Sequence, residues 1–282
     1  MTQQWPAAAA VFSQADEILG YPLSEICFQG PRETLDATEH SQPALLACSV
    51  AALAVLQETD PALADAADAC AGLSLGEYTA MVHAGALSFE DGLRVVRERG
   101  LAMQEAADRQ PSGMVSILGL GEDEVQRLCD EARQPEEILQ IANHLCPGNI
   151  AISGHQASCQ KATGLAESFG AMRAVPLAVA GAFHTGIMKP AETRLSEALA
   201  GVSIQPPAIP VISNVDAAAH SDPDEIRQLL VRQVCSPVLW GPSMNRLIEQ
   251  GYDQFVEIGH GRVLRGLMKR INRRAACSGV PE

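Results

Sequence analysis

Ser74 stands in the run Ala71-Gly72-Leu73-Ser74-Leu75-Gly76-Glu77-Tyr78. A Gly-x-Ser-x-Gly pentapeptide puts a serine on a tight turn between a strand and a helix. Its hydroxyl then sits at a helix N-terminus, where unpaired N–H groups favour a developing oxyanion. The chemistry this suits is nucleophilic attack on an acyl carbon. Gly72 and Gly76 are expected to remove side chains that would collide in the turn. A serine nucleophile also needs a base within hydrogen-bond reach. Of the seven histidines, His184 is best placed, after an apolar strand and the Ala180-Gly181-Ala182 bend and before a helix. Loops at strand ends are where catalytic groups collect. The alternative is a loop histidine bonded to nearby backbone. His260, between Gly259 and Gly261, is the rival base, and the other five read as ordinary surface or core histidines.

Arg99 lies mid-helix among Val95, Val96, Leu101, Ala102 and Met103. A guanidinium buried there needs a partner, and its planar fork suits a carboxylate. A carboxylate ligand, a structural pair with Glu98 or Glu105, and plain solvent exposure all remain open at this point.

The elements that position these residues read as α/β. Residues 44–56 form a buried helix, too short for a membrane span, with Pro43 in its first turn. Residues 67–71 are weakly strand-like. A helix over 89–107 opens with Ser88 as N-cap and Glu90 and Asp91 behind it. From 113 to 180 the order is strand 114–120, helix 121–133, strands 138–143 and 149–153, helix 156–169 and strand 172–179. That β-α-β-β-α-β order is ferredoxin-like. It predicts an inserted subdomain over 113–180 within a catalytic domain made of 1–112 and 181–282. The second half then reads as helix 187–199, strand 209–213, helices 224–233 and 243–250, strand 254–258 and a helix from 263 to about 273.

The chain has 282 residues, 47% of them hydrophobic, and a formal net charge of −14. That is enough to bury a sizeable core, and the charge repels nucleic acid and anionic membranes. One local exception is the basic stretch Arg262, Arg265, Lys269, Arg270, Arg273 and Arg274, which is either a solvated helix face or a landing surface. The eight cysteines show no metal-binding spacing and no disulfide framework. With no signal peptide evident, a soluble cytoplasmic protein is expected.

Taken in order, several motifs resemble the malonyl-CoA:acyl carrier protein transacylases. They are Gln42-Pro-Ala-Leu45, Gly72-Leu-Ser74-Leu-Gly-Glu-Tyr78, Arg99-Gly100-x-x-Met103-Gln104, Gly181-Ala-Phe-His184 and Met188-Lys-Pro-Ala191. Ser213-Asn-Val-Asp216, Val231-Arg-Gln233 with Pro237-Val238, and Glu257-Ile-Gly-His-Gly261 with Val263-Leu264 complete the set. The resemblance runs from about residue 16 to 272. It implies an α/β-hydrolase-like domain with a parallel sheet plus the ferredoxin-like insert. It implies that Ser74 carries malonyl as an ester and that His184 moves the proton. The backbone carbonyl of Gln233 would orient His184, and the Leu75 N–H would be one oxyanion donor. Arg99 would bind the malonyl carboxylate, Phe183 would crowd the C2 position, and Asn143 would help form the acyl pocket. Malonyl-CoA is then a substrate, no cofactor or metal is held permanently, and phosphopantetheinylated acyl carrier protein is the partner of a monomeric enzyme.

The resemblance departs at two places. Leu73 stands where the family usually has histidine, which implies altered packing and an intact base. The chain also opens Met1-Thr-Gln-Gln-Trp5, without the family's apolar strand and Gly-Gln-Gly-x-Gln loop. The expectation drawn from this is a chain that starts downstream of that strand. The competing expectations are a carrier-binding relative with impaired catalysis and a serine esterase or thioesterase.

Overall fold

The computed structural model describes Thr2 and residues 4–280. The first forty residues carry helices that the sequence patterning did not reveal. They are α1 (Pro6–Leu19), α2 (Leu23–Gln29) and α3 (Arg32–Asp36). α1 begins on Pro6 and stops at Gly20, whose φ of 74° only glycine adopts freely.

The apolar helix expected from Pro43 is longer, and Pro43 lies inside it. α4 spans Thr38–Thr59. Its extra turn is nucleated by the Ala37 carbonyl, which accepts from the N–H of His40 at 2.9 Å and Ser41 at 2.8 Å. That turn is also packed hard against the later helix α7 (Phe89–Asp108) at Gly100. α4 is apolar and long enough to cross a membrane by composition, yet half of its most apolar window is buried. It packs on α1 and α7, as a core helix does. After it come α5 (Pro61–Asp65), β1 (Cys70–Ala71), α6 (Gly76–His83) and α7 (Phe89–Asp108). α7 starts as expected, with the Ser88 hydroxyl accepting from the Asp91 N–H at 3.0 Å.

Next comes a ferredoxin-like unit: β2 (Ser112–Leu118), α8 (Glu122–Ala132), β3 (Leu139–Cys146), β4 (Asn149–His155), α9 (Gln156–Leu165) and β5 (Arg173–Pro176). The strands form one antiparallel sheet in the order β3-β4-β2-β5. Alternation along the strands decides its faces. Val115, Ile117, Ile150 and Ile152 pack under α8 and α9, burying Val125, Leu128, Cys129 and Cys159. Met114, Ala142 and Ala151 face the other way and pack on Phe183. The second predicted helix is cut at Leu165, and residues 166–169 tighten into a 3₁₀ turn ending at Gly170.

The chain continues through α10 (Lys189–Ala200), β6 (Val211–Ile212), α11 (Pro223–Gln233), α12 (Trp240–Glu249), β7 (Gln254–Ile258), α13 (Val263–Ile271) and β8 (Ala276–Val280). Parallel strands come as two pairs, β1 with β6 and β7 with β8. The weak strand reading before Ser74 fits a β1 of only two residues. β8 was not foreseen, because 276–280 carries polar and small residues without strand patterning. The resulting fold is α/β, with the helical core of α1, α4, α7 and α10 beside the short parallel strands.

The approach of α7 to α4 is set by Gly100, where an added Cβ would lie 2.6 Å from the Thr38 carbonyl oxygen. Alanine is the better helix former by about 1 kcal/mol, but overpacking costs about 1–3 kcal/mol. Gly100→Ala is therefore expected to destabilise the fold by up to about 2 kcal/mol in chemical denaturation. Higher stability would mean that α4 shifts away freely.

Candidate active site

The turn from β1 into α6 is a sharp elbow. Ser74 has a φ of 50°, a left-handed conformation that a serine adopts only under constraint from its surroundings. Of the two flanking glycines only Gly72 is required sterically. A Cβ there would lie 1.9 Å from the Gly76 carbonyl carbon, whereas a Cβ at Gly76 meets nothing within 4 Å. The elbow is clamped from two sides. The Asn214 side chain, just after β6, accepts from the Ser74 N–H at 2.6 Å and donates to the Gly72 carbonyl at 2.7 Å. The Gln233 amide, at the end of α11, donates to the Ser74 carbonyl at 3.0 Å. The Ser74 N–H is thus spent on the clamp. The next one, of Leu75, makes no hydrogen bond to the described residues and starts the helix.

His184 also sits in the left-handed region, with a φ of 62°. Its Nδ1 is 2.9 Å from the Gln233 carbonyl oxygen, and its Nε2 is 2.9 Å from Ser74 Oγ. A carbonyl only accepts, so Nδ1 carries the hydrogen and Nε2 holds the free lone pair. The Ser74 hydroxyl therefore donates to His184. Burial, followed by the charge of Arg99, pushes the His184 imidazole down to about 4. The ring is neutral at physiological pH, as a base must be. His260 makes no contact with Ser74 and is exposed.

Arg99 is 1% exposed, which removes the solvent-exposed alternative. Glu98 and Glu105 are held by Arg194 instead, at 2.8 and 2.6 Å. Arg99 donates to Gln42 Oε1 at 2.6 Å, Ser74 Oγ at 3.0 Å and Gln233 Oε1 at 2.9 Å. Its Nε has no partner among the described residues. No carboxylate there lies within ion-pair distance of it. The guanidinium is a buried cation beside the serine, ringed by neutral acceptors and with a donor to spare.

Phe183 packs beside His184 against Met114, Ala142 and Ala151. Asn143 is buried on β3 and bridges by backbone to Val238. Its side chain is not hydrogen-bonded to Ser74, His184 or Arg99. Leu73 packs against the buried cluster that holds Val238, Trp240 and Met244. Two clefts of about 280 and 240 Å³ lie elsewhere, and none of the site residues lines them. No cluster of three or more metal-ligating side chains occurs among the described residues. In the basic stretch, Arg265 binds Glu257 at 3.0 Å and Arg270 donates to the Pro147 and Gly148 carbonyls, so it is only partly a free surface.

Four polar groups of the site carry no role in the sequence reading: the side chains of Gln42, Glu77, Asn214 and Gln233. For Glu77 the available signal is a carboxylate three residues after the nucleophile, one helical turn from it. Asn214 follows an apolar strand in Ser213-Asn-Val-Asp216, where a polar side chain at a strand end could have pointed to it.

Residues 1–278 match the acyl transferase domain family. The chain belongs to the acyl transferase family. This acyl transferase is 43% identical over 280 residues to the malonyl CoA-acyl carrier protein transacylase of Bacillus subtilis, which covers 99% of this chain and 87% of that protein. Among solved structures, the acyl carrier protein S-malonyltransferase of Vibrio cholerae superposes with a TM-score of 0.93 at 37% identity, over 99% of this chain and 90% of that one. A malonyl-transacylase solved in complex with its type II PKS acyl-carrier protein superposes at 0.92 with 39% identity, over 98% of this chain and 88% of that one.

The depressed imidazole can be read directly. In a nitrogen-15 NMR titration of this acyl transferase, His184 is expected to stay neutral, protonated on Nδ1, down to about pH 5. A midpoint near the ordinary histidine value of about 6.5 would contradict this site.

Proposed function

We propose that this acyl transferase moves malonyl from malonyl-CoA to the phosphopantetheine thiol of acyl carrier protein, in fatty acid synthesis. The observation that carries this reading is Arg99, a buried guanidinium without a carboxylate partner that touches the nucleophile. A buried cation in that position favours an acyl group bearing its own carboxylate. A simple esterase would gain nothing from it. The transacylase relatives support the same reading.

In the first half-reaction Ser74 Oγ attacks the thioester carbon while its proton passes to His184 Nε2. The Leu75 N–H stabilises the oxyanion, at the positive end of α6. Collapse breaks the C–S bond, and the imidazolium gives its proton to the leaving thiolate of CoA. The carrier thiol then attacks the malonyl ester by the same steps in reverse. Bound malonyl displaces Ser74 Oγ as the acceptor of Arg99, so the guanidinium holds the acyl carboxylate while the hydroxyl is freed to react. Phe183 and Asn143 wall the acyl pocket in this reading. We assign residues 113–180 as the ferredoxin-like subdomain and 1–112 with 181–282 as the catalytic domain. The exposed cations Arg262, Lys269, Arg273 and Arg274 offer an acidic carrier a landing surface. The eight unpaired cysteines suit a reducing, cytoplasmic setting. An acyl carrier of polyketide synthesis would be handled by the same chemistry, and the complex among the solved neighbours keeps it as the second reading.

Intact mass after brief incubation with malonyl-CoA tests this. The parent is expected to gain one malonyl group that acyl carrier protein removes, and Ser74→Ala none. An adduct retained in Ser74→Ala would move the nucleophile elsewhere. Arg99→Ala is expected to lower malonyl acylation relative to acetyl acylation by about 10²-fold. An unchanged ratio would remove Arg99 from substrate recognition.

A further inference from the structure

Glu77 is 1% exposed, and among the described residues its carboxylate makes no hydrogen bond or ion pair with Ser74 Oγ, His184 or Arg99. One of its oxygens, Oε2, accepts two hydrogen bonds, from the Gln233 side-chain amide at 2.7 Å and from the Asn214 N–H at 3.1 Å. These are the two residues that clamp the Ser74 elbow. Gln233 also reaches Arg99, His184 and Ser74 together. It takes Arg99 on Oε1, His184 on its backbone carbonyl, and gives Nε2 to the Ser74 carbonyl.

A side-chain amide has two ends, and which end faces which neighbour is decided by the neighbours. Here Gln233 sits between an anion and a cation. Ionised Glu77 can only accept and Arg99 can only donate. The amide therefore presents NH₂ to Glu77 and its carbonyl to Arg99. Turned over, it would set NH₂ against the guanidinium and oxygen against the carboxylate. Without Glu77, one of the two groups that hold the NH₂ end is gone.

We infer that Glu77 is a positioning residue that fixes the orientation of the Gln233 amide and, through it, aims the Arg99 fork at the acyl carboxylate. This rests on the malonyl-transfer reading above. The carboxyl is pushed up to about 7 by burial, which outweighs the hydrogen bonds from Gln233 and Asn214 and the charge of Arg99, so it is ionised at about pH 8.

The test measures acylation by malonyl-CoA and by acetyl-CoA at about pH 8, as the ratio of the two rates. Glu77→Gln keeps an acceptor oxygen and removes the charge. Glu77→Leu keeps the bulk and removes both. Losing one charge-assisted hydrogen bond is worth about tenfold. The malonyl-to-acetyl ratio is therefore expected to fall about tenfold in Glu77→Leu and to stay within about threefold of the parent in Glu77→Gln. If Glu77 served only as a counter-charge, the two variants would shift together. If it were only structural, both rates would fall in step with the ratio unchanged. Either result overturns the inference. Action through Gln233 is checked by a cycle. In a Gln233→Leu background the Glu77 substitutions should change the ratio no further, and additive losses would sink the inference. Should Glu77→Leu fail to fold, Glu77→Met, which also removes both charge and acceptor, takes its place, with the same tenfold fall expected in the parent and none in the Gln233→Leu background. A parent that malonyl-CoA does not label overturns both readings, whereas a labelled parent with an unmoved ratio in Glu77→Leu overturns this one alone.

Discussion

A buried guanidinium without a direct carboxylate partner is the constraint around which the site is organised. Placing Arg99 inside the fold removes its hydration, and a charge so placed must be surrounded by acceptors. Three acceptors come from three distant elements: Gln42 from α4, Ser74 from the elbow and Gln233 from α11. The packing follows from that need. Gly100, one residue on, lets α7 approach the first turn of α4, which carries Gln42 to the guanidinium. The compensating carboxylate, Glu77, stands one residue removed, behind the Gln233 amide. This arrangement leaves the cation partly uncompensated on the side facing the serine, where a substrate carboxylate can complete it.

The second constraint is conformational. Both reacting residues, Ser74 and His184, occupy left-handed backbone, at about 1–3 kcal/mol each. Such conformations persist only where the surroundings over-determine them. At Ser74 the surroundings are two side-chain amides on the backbone N–H and C=O, together with a Gly72 that no other residue can replace. At His184 they are the carbonyl of Gln233 on the ring and the Val234 carbonyl on the backbone N–H. α11 therefore serves both residues from its last turn. The geometry is local to each reacting residue, but its stability is borrowed from elements far along the chain.

Proton placement follows from the same contacts without an acid in a third position. The Gln233 carbonyl fixes the imidazole tautomer, and burial beside Arg99 keeps the ring neutral. Arg99 donates to Ser74 Oγ only while no acyl carboxylate is bound, so it holds the hydroxyl in place until substrate takes over the guanidinium. A thioester is activated enough for a serine and a neutral histidine to suffice.

Much of this protein was legible along the chain because the signals are local. The Gly-x-Ser-x-Gly turn, the Ser88 cap and the two-residue alternation of the inserted sheet depend on neighbours a few positions apart. The order of strands and helices in the insert, and Ser74, His184 and Arg99 as the groups that meet, could be read that way. Element ends were less legible. Pro43 looked like a helix start because a proline is tolerated there, and only the packing of α4 on α7 extended the helix back to Thr38. β8 has no strand pattern and exists because β7 offers it a partner. What only the tertiary structure decided is the partner set of each buried polar group. Arg99 meets residues 57, 25 and 134 positions away, and Glu77 meets Gln233 across 156. No periodicity encodes such contacts. They arise because burial forces every charge and amide to find an acceptor or donor among whatever the packed elements bring within reach.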